Sequence, residues 1–317
     1  MKVIEHIEKA KKPFISFELI PPKRGGDIKG LLNVLEDIVK YHPPFIDITS
    51  HSAEVVYDET KDGIKKKVKR KRPGTLGICA LIQHKYNTDA VPHILTNGFT
   101  REETEDFMIE LSYLGIDNVL AIRGDDHGFQ KPVPKGKSIN FYASDLVKQI
   151  NDMNHGRYLE ENLLDAQPSS FCIGVGGYPE KHFEAPNLLT DIKYAKQKVD
   201  AGAEYIVTQM FYDNKVYFKY VELCREQGIN VPIIPGLKII TTKSNLTSIP
   251  KKFYINIPEE LSEKVMNTEN DKVHEVGVEW AATQVKELIK MGVPSIHFYI
   301  MLNSNPICML MDRLEMF

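Results

Sequence analysis

Residues 188–211 read LLTDIKYAKQKVDAGAEYIVTQMF, an amphipathic stretch with helical spacing that is followed by a short apolar run. Gly202 stands where a helix C-terminal signal is expected, and residues 205–211 have the composition of a buried strand. Units of this kind recur along the chain. They predict helices over residues 101–114, 188–201, 216–227 and 271–291, and strands over residues 14–19, 45–49, 90–95, 118–123, 171–177, 205–211, 232–237 and 295–300. Eight strands with intervening helices predict an α/β fold with a closed parallel sheet, a single (β/α)8 TIM barrel.

Two segments are harder to place in this pattern. The apolar run at residues 76–82 could be a buried strand or a helix. We interpret it as a helix, because Pro73 and Thr75 make a helix start and a strand here would leave residues 90–95 without a place in the eight-stranded closure. The polar segment at residues 151–170, which contains a candidate helix at residues 158–164, is interpreted as an extended connection before the fifth strand.

Length and composition limit the classes of protein to consider. The 317 residues are 42% hydrophobic and 26% charged, and no Gly/Ser-rich linker divides them, so we expect one barrel domain over residues 1–317. A net charge of −3 provides no global field for nucleic acid. Residues 1–12 contain no apolar block for a signal peptide or a membrane span, which predicts a cytoplasmic protein. The four cysteines are scattered singly, without the spacing of a zinc site or a redox dithiol.

The first predicted strand carries a carboxylate to the end of the barrel where such folds build their active sites. Residues 17–22 read FELIPP, in which Glu18 has apolar neighbours and the two prolines end the strand. We expect the pKa of Glu18 to be raised. The residue is either a strand-end glutamate paired with a cation or a general acid.

The fourth predicted strand brings a cation, a glycine and a carboxylate to the same rim, at Arg123, Gly124 and Asp125. Arginine offers a fork of donors to phosphate, glycine permits close approach of the backbone to a ligand, and aspartate can counter a developing positive charge. An internal pair between Arg123 and Asp125 is the alternative. Weaker polar signals at other strand ends are His93, Gly176, His182 and Gln209.

Common signals for nucleotides and metals are absent from the sequence. No G-x-G-x-x-G turn follows a strand, no phosphate loop ends in G-K-S/T, and the histidines lack metal-ligand spacing. A nucleotide cofactor would therefore be held by the rim of the barrel, and no metal is expected.

The motifs, in their order along the chain, resemble those of the methylenetetrahydrofolate reductases in their short bacterial form, which lacks a regulatory domain. The motifs that carry the resemblance are Phe17-Glu18-x-x-Pro21-Pro22, Pro92-His93, Ala121-x-Arg123-Gly124-Asp125, Tyr142-Ala143-Ser144-Asp145-Leu146, Tyr178-Pro179-Glu180, Lys198-Val199-Asp200-Ala201-Gly202-Ala203, Thr208-Gln209 and His297-Phe298-Tyr299. No single motif is decisive, but their joint occurrence over nearly the whole chain is highly specific.

The resemblance implies a flavoprotein oxidoreductase of one-carbon metabolism and methionine supply, and a homo-oligomer is expected. FAD would bind at the carboxyl ends of the strands. NADH or NADPH would reduce the flavin, and 5,10-methylenetetrahydrofolate would then take the same place and be reduced to 5-methyltetrahydrofolate. By position, Glu18 would protonate the folate nitrogen and Asp125 would orient the pterin and stabilise the cation. The positions that match folate contacts are Glu18, Asp125, Gln209 and Tyr299. Those that match the FAD site are Thr49, His93, Arg123, Gly124, Asp125, Tyr142, Ala143, Gly176, His182, Asp191 and Lys198.

The chain departs from the family pattern in three places. Tyr194 and Gln197 stand where the bacterial enzymes offer an asparagine and an arginine to the cofactor. Residues 300–303 read IMLN instead of TLNR, so the arginine of that motif has no counterpart. The loop after the seventh strand also differs, which leaves the nicotinamide-nucleotide contacts unassigned.

Two other classes of function fit a folate barrel. A methyltransferase would bind the pterin without flavin. A non-catalytic folate-binding protein would keep the rim but lose the acid, and the presence of Glu18 argues against it.

A basic run at residues 65–72 is not explained by the family resemblance. Residues 54–72 carry β-branched residues at alternating positions on both sides of Asp62-Gly63, which predicts an inserted hairpin that leaves the end of the second strand. The run is either a solvated edge or a site for a polyanion. A lysine face formed by Lys65, Lys67, Lys69 and Lys71 could bind the polyglutamate tail of a folate.

Overall fold

A computed structural model describes residues 1–61, 63–125 and 131–314 of the chain. Its strands are β1 (Phe14–Leu19), β2 (Phe45–Ile48), β3 (Ala53–Thr60), β4 (Gly63–Arg70), β5 (Asp89–Leu95), β6 (Asn118–Ile122), β7 (Cys172–Gly177), β8 (Tyr205–Thr208), β9 (Ile233–Ile234), β10 (Gly236–Leu237) and β11 (Ser295–Met301). Its helices are α1 (Val3–Lys9), α2 (Lys29–Val39), α3 (Thr75–Lys85), α4 (Arg101–Tyr113), α5 (Ala143–Asn154), α6 (Leu188–Asp200), α7 (Asn214–Glu226), α8 (Asn245–Phe253), α9 (Glu259–Asn267), α10 (Val273–Lys290) and α11 (Asn305–Leu314).

The main sheet is parallel and runs in the order β10-β11-β1-β2-β5-β6-β7-β8-β9. Its two ends belong to one segment of chain, because only Pro235 separates β9 from β10. The carbonyl oxygen of Pro235 accepts a hydrogen bond from the backbone N–H of His297 on β11 (2.9 Å). The predicted strand at residues 232–237 is therefore one barrel strand interrupted by a proline, and the sheet closes into the predicted (β/α)8 barrel.

The secondary-structure predictions agree with the structure at nearly every element. The eight predicted barrel strands are confirmed, although the predicted strand 205–211 ends at Thr208. The four predicted helices are confirmed as α4, α6, α7 and α10, and residues 76–82 lie in α3, as expected. The candidate helix at residues 158–164 was wrong: these residues form turns and irregular structure. Leu164 there is 97% exposed, so the segment offers no apolar stripe that would pack a helix against the barrel.

Helix boundaries follow from local hydrogen bonding. The Thr100 side chain accepts from the backbone N–H of Glu103, whose carboxylate accepts from the N–H of Thr100, and this capping box begins α4. Asn187 caps α6 in a similar way through the N–H of Thr190. None of the helices in the described ranges has the length and apolar character needed to cross a bilayer.

The barrel has an apolar outer layer and a closed bottom. Outward-facing strand residues pack against the surrounding helices in one extended core. A second cluster fills the barrel interior near the amino ends of the strands, where Val3 of α1 packs against Phe45, Val91 and Leu120. Because side chains alternate along a strand, the residues two positions further along β2 and β5 point to the same interior, nearer the carboxyl ends. Those residues are polar.

The predicted hairpin is confirmed as β3 and β4, which pair antiparallel from Ala53↔Arg70 to Thr60↔Gly63. They form a separate two-stranded sheet. Asp62, which the turn prediction includes, lies outside the described residues. The extended connection before β7 is also confirmed, although residues 151–154 belong to α5 and the irregular part begins at His155.

Candidate active site

The barrel interior near the carboxyl ends of the strands contains a cluster of two carboxyl groups and a histidine. Glu18 lies on β1 and is 8% exposed, Asp47 lies on β2 and is fully buried, and His93 lies on β5 and is 5% exposed. Nε2 of His93 lies 3.5 Å from Oε2 of Glu18 and 3.5 Å from Oδ2 of Asp47. Sequence reasoning selected Glu18 and His93 but missed Asp47.

Burial governs the ionisation of this cluster. It raises the pKa of Glu18 to about 7, against a smaller lowering by His93 and with a further increase from Asp47. It raises the pKa of Asp47 to about 7 as well, and it lowers the pKa of His93. The expected raised pKa of Glu18 is confirmed, so this carboxyl group holds its proton close to neutral pH.

A second set of polar groups lies on the strands beside Glu18. Ser16 Oγ and Nδ1 of His297 are 2.8 Å apart and fully buried. The hydroxyl of Tyr299 donates to the carbonyl oxygen of Thr208 (2.6 Å). Lys238, which follows β10, donates through Nζ to the carbonyl oxygen of Tyr299 (3.3 Å). Burial lowers the pKa of Lys238, while Glu18 counteracts that shift.

His297 and Lys238 were also missed as candidates. The signal for His297 was its place within the apolar strand 295–300, where a polar residue must face either the barrel interior or the helix layer. For Lys238 the signal was a lysine directly after a barrel strand. Both signals are common in soluble proteins; His297 also stands in the motif His297-Phe298-Tyr299, from which only Tyr299 was selected.

The rim on the side of β6 and β7 carries two cations, Arg123 and Lys198, and two carboxylates, Glu184 and Asp191. Nη1 of Arg123 lies 2.7 Å from Oε2 of Glu184. The ammonium group of Lys198 on α6 donates to the carbonyl oxygen of Gly176, and burial lowers its pKa to about 8. Asp191 on the same helix accepts from the backbone N–H of His182 (3.0 Å). The structure thus connects the predicted positions 176, 182, 191 and 198 around the end of β7.

Two glycines lie at this rim, and the backbone at Gly176 leaves room for a ligand. Gly124 has φ +86°, which favours glycine, and a Cβ there would stand 3.2 Å from the side chain of Leu95. A Cβ at Gly176 would meet only the Tyr178 hydroxyl and Ile122 at 3.8–3.9 Å. Asp125 is exposed at the end of the described part of this loop.

The remaining predicted positions lie at the starts of helices and the ends of strands. Tyr142, 64% exposed, precedes α5, and Ala143 is its first residue. The backbone N–H of Thr49 donates to the carbonyl oxygen of Leu19 (3.0 Å), and that of Gln209 donates to Gly177 (2.7 Å). Both positions therefore extend the barrel ladder at its carboxyl end. Tyr194 and Gln197, the two departures on α6, are exposed.

A cavity of about 170 Å³ lies beside His93, between the strand ends and the base of the hairpin. Arg70 of β4 lines it, donating to the carbonyl oxygen of His51 (2.7 Å) and placing its guanidinium 5.3 Å from the centre of the Phe99 ring. The hairpin is thus anchored at the mouth of the barrel, as predicted. The full lining is Ser50, Arg70, His93, Ile94, Leu95, Phe99, Glu103, Thr104 and Phe107.

These groups fit a flavin dinucleotide. Two cations, Arg123 and Lys198, can face a diphosphate, and the open backbone at Gly176 permits close approach. The cavity beside His93 is largely apolar, as the lining of sites for planar rings usually is. A metal is a poorer fit, because no group of three or more His, Cys, Asp and Glu residues within the described ranges could hold one.

Comparisons with known proteins agree with this geometry. The family model described as "Methylenetetrahydrofolate reductase" matches residues 2–315. "Methylenetetrahydrofolate reductase (NADH) 1" of Arabidopsis thaliana is 31% identical over 94% of this chain and 48% of its own length. "5,10-methylenetetrahydrofolate reductase" of Salmonella typhimurium is 28% identical over 90% of this chain and 85% of its own length. The chain spans about half the length of several curated relatives that it matches.

A solved structure shares the fold at low sequence identity. It is described as an "Uncharacterized protein from Clostridium thermocellum" that "binds two copies of 5-methyl-5,6,7,8-tetrahydrofolic acid". The two chains superpose with a TM-score of 0.61 at 14% identity, over 99% of this chain and 100% of the other. The likeness supports the barrel and does not extend to the ligand.

Proposed function

The chain belongs to the methylenetetrahydrofolate reductase family, and we propose that it reduces 5,10-methylenetetrahydrofolate to 5-methyltetrahydrofolate with electrons from NADH or NADPH. The observation that carries this proposal is the carboxyl group of Glu18, buried at the carboxyl end of β1 and 3.5 Å from Nε2 of His93. Its pKa of about 7 suits a group that must give up a proton at neutral pH.

Glu18 is the proposed acid for the folate. Reduction of the methylene bridge consumes a proton, because a carbon–nitrogen bond of the five-membered ring must open before the carbon can accept electrons. Glu18 would donate that proton to the folate nitrogen. Asp125, exposed at the same rim, would lie against the positive charge that then develops on the folate and stabilise it. Gln209 and Tyr299 are the further residues that we propose as folate contacts.

The proposed cofactor is FAD, held by the cationic rim. FAD, when bound, would take up electrons from the nicotinamide and release them to the folate. Arg123 and Lys198 would hold its negatively charged part, and the backbone at Gly124 and Gly176 would allow it to approach. The remaining positions proposed to line it are Thr49, His93, Asp125, Tyr142, Ala143, His182 and Asp191.

The experiment that tests the function is spectroscopic. The purified protein, reconstituted with FAD, should be yellow, its absorbance should bleach on anaerobic addition of NADH or NADPH, and 5,10-methylenetetrahydrofolate should restore the colour. Flavin that bleaches but is not reoxidised by the folate would contradict the reductase. A colourless protein that binds folate but cannot be loaded with FAD would favour the flavin-free methyltransferase.

The electron donor, the oligomeric state, the location and the domain organisation are the finer points of this proposal. The choice between NADH and NADPH would be read from the rate constants for bleaching with each donor. A homo-oligomer is expected, and sedimentation would measure its size. We also propose that the protein acts in the cytoplasm as one catalytic barrel domain.

A further inference from the structure

Asp47 is a buried carboxyl group without a role in the reaction proposed above. Neither of its oxygens has a hydrogen-bond partner among the residues that the structure describes, and the residue is fully buried. Such a group is costly for a fold, since a buried polar atom normally finds a partner. Asp47 follows Phe45 by two positions on β2, so its side chain points into the barrel.

The geometry connects Asp47 to the proposed acid through one atom. Nε2 of His93 lies 3.5 Å from Oδ2 of Asp47 and 3.5 Å from Oε2 of Glu18, so a single proton on this nitrogen can face either carboxyl group. The distances are longer than hydrogen bonds.

Charge balance constrains how many protons the three groups hold. A buried cluster strongly favours a net charge of zero. Two protons shared among Glu18, Asp47 and His93 make these three groups neutral, while the ammonium group of Lys238 faces Glu18 from outside the trio. Either both carboxyl groups are protonated beside a neutral imidazole, or one is protonated and the other faces an imidazolium. The three groups therefore titrate as a unit.

Other charged and titratable groups face the cluster. Glu18 faces His93, Asp47, Lys238 and Tyr299. Asp47 interacts with His93, His297, Tyr205 and Cys79, and also with Tyr299. Burial raises the pKa of each of these tyrosines and of the Cys79 thiol, so all three stay neutral. Lys238 is the cation that acts against protonation of Glu18.

We propose that Asp47 is the positioning residue that keeps Glu18 protonated at neutral pH, acting through the imidazole of His93. The proposal rests on the proposed function, in which Glu18 is the acid. Loss of a proton from Glu18 creates a carboxylate close to Asp47, and the negative charge of an ionised Asp47 opposes that loss. Without an ionisable group at position 47, one proton makes the remaining pair neutral. That proton can then lie on His93 as well as on Glu18. When it lies on His93, Glu18 is an ionised carboxylate paired with an imidazolium and cannot act as the acid.

The test is the pH dependence of the folate half-reaction in Asp47→Asn, measured by stopped-flow with FAD-loaded, pre-reduced enzyme. The rate constant should be highest below the pKa of the acid and fall above it. Removing a like charge lowers that pKa, so the falling limb should move by roughly one pH unit to lower pH. The rate constant should then fall roughly five- to tenfold at pH 7.5 and be unchanged at pH 5.5.

Two further variants make the test specific. Lys238→Met removes the cation that lowers the pKa of Glu18. In this variant the fall in the rate constant should therefore move to higher pH, whereas in Asp47→Asn it should move to lower pH. Asp106→Asn makes the same chemical change on the exposed face of α4 and should leave the limb in place. A general loss of packing would lower the rate at every pH without moving the limb.

Infrared spectroscopy of the flavin-free protein gives a second readout. The carbonyl stretch of protonated Glu18 is the band that Glu18→Gln removes. In Asp47→Asn this band should disappear at lower pH than in the wild type, by the same interval as the kinetic limb. If both the limb and the band stay where the wild type has them, Asp47 does not act on Glu18. If Glu18→Gln itself leaves the folate half-reaction intact, the proposed acid is wrong, which is a different outcome.

Discussion

Oε2 of Glu184 lies 2.7 Å from Nη1 of Arg123, so a carboxylate of the protein forms an ion pair with this guanidinium at the rim of the barrel. The pair lowers the pKa of Glu184 through its hydrogen bond with Arg123. Arg123 is one of the two cations that we propose for the negatively charged part of FAD. The cofactor and Glu184 would therefore compete for the same donors.

We expect Glu184→Gln to bind FAD more tightly than the wild type. Glu184 is 49% exposed and Arg123 30% exposed in this pair, so the competing interaction is a screened one, about 0.2–1 kcal/mol, and the affinity should rise roughly 1.5- to 5-fold. Quenching of flavin fluorescence on titration of the flavin-free protein measures it. Glu279→Gln breaks a surface pair with Arg313 and serves as the control. An affinity that stays the same or falls would contradict competition.

Glu18→Gln should abolish reduction of the folate and leave reduction of the flavin by the nicotinamide nearly intact, since only the folate half-reaction needs a proton donor. Stopped-flow absorbance of the flavin measures each half separately. Equal loss in both halves would mean that Glu18 shapes the cofactor site and is not the acid.

Asp125→Asn keeps the size and hydrogen bonding of the side chain but removes the charge that we place against the folate cation. We expect the folate half-reaction to slow by about tenfold or more, on the order of one electrostatic partner in a transition state. FAD should stay bound, which the absorbance spectrum of the purified variant shows. A folate rate constant equal to that of the wild type would remove Asp125 from the proposed mechanism.

The fold could be predicted almost completely from the sequence, because barrel strands and helices repeat with distinct hydrophobic periods. The interruption of the predicted strand at residues 232–237 could not be predicted, since it depends on where Pro235 lies relative to the hydrogen bonds of β11. The location of the site at the strand ends was also predictable. Two of its members were not: the inner residue Asp47 is one polar residue in a four-residue strand, and the rim residue Glu184 is 61 positions from Arg123 in sequence.

Closure of the barrel depends on a glycine at position 236. A Cβ there would stand 2.1 Å from the carbonyl oxygen of Thr208 and 2.7 Å from the Tyr299 ring. We expect Gly236→Ala to lower the free energy of unfolding by about 3 kcal/mol, because the backbone on both sides of the closure must shift. Urea denaturation measures the loss. Gly30→Ala on α2, where a Cβ meets nothing within 4 Å, should be neutral or stabilising by up to about 1 kcal/mol. Equal effects would contradict the close approach.

The lysine face of the hairpin, formed by Lys65, Lys67, Lys69 and Lys71, is less positive than the sequence suggested. The cross-strand pairs Glu54↔Lys69 and Asp58↔Lys65 place two carboxylates on this face. Lys67 is paired with Asp58 at 2.5 Å, and Lys71 with Glu54 at 3.7 Å. Four lysines against two carboxylates still leave an excess of positive charge beside the mouth of the barrel. The face therefore remains a candidate site for the polyglutamate tail of a folate.

Replacing Lys65, Lys67 and Lys69 together with serine should raise the KM for a polyglutamylated substrate in low salt, by roughly threefold or more, because screened attraction to several charges is lost. The KM for the monoglutamate and the rate of flavin reduction should not change. Lys66→Ser is the matched control for the single variant Lys67→Ser, since Lys66 pairs with Tyr57 on the opposite face of the hairpin and its loss should affect the polyglutamylated substrate less. The increase should shrink as salt is added. If the KM values for both substrates stay the same, or rise by the same factor, the basic run is only a solvated edge.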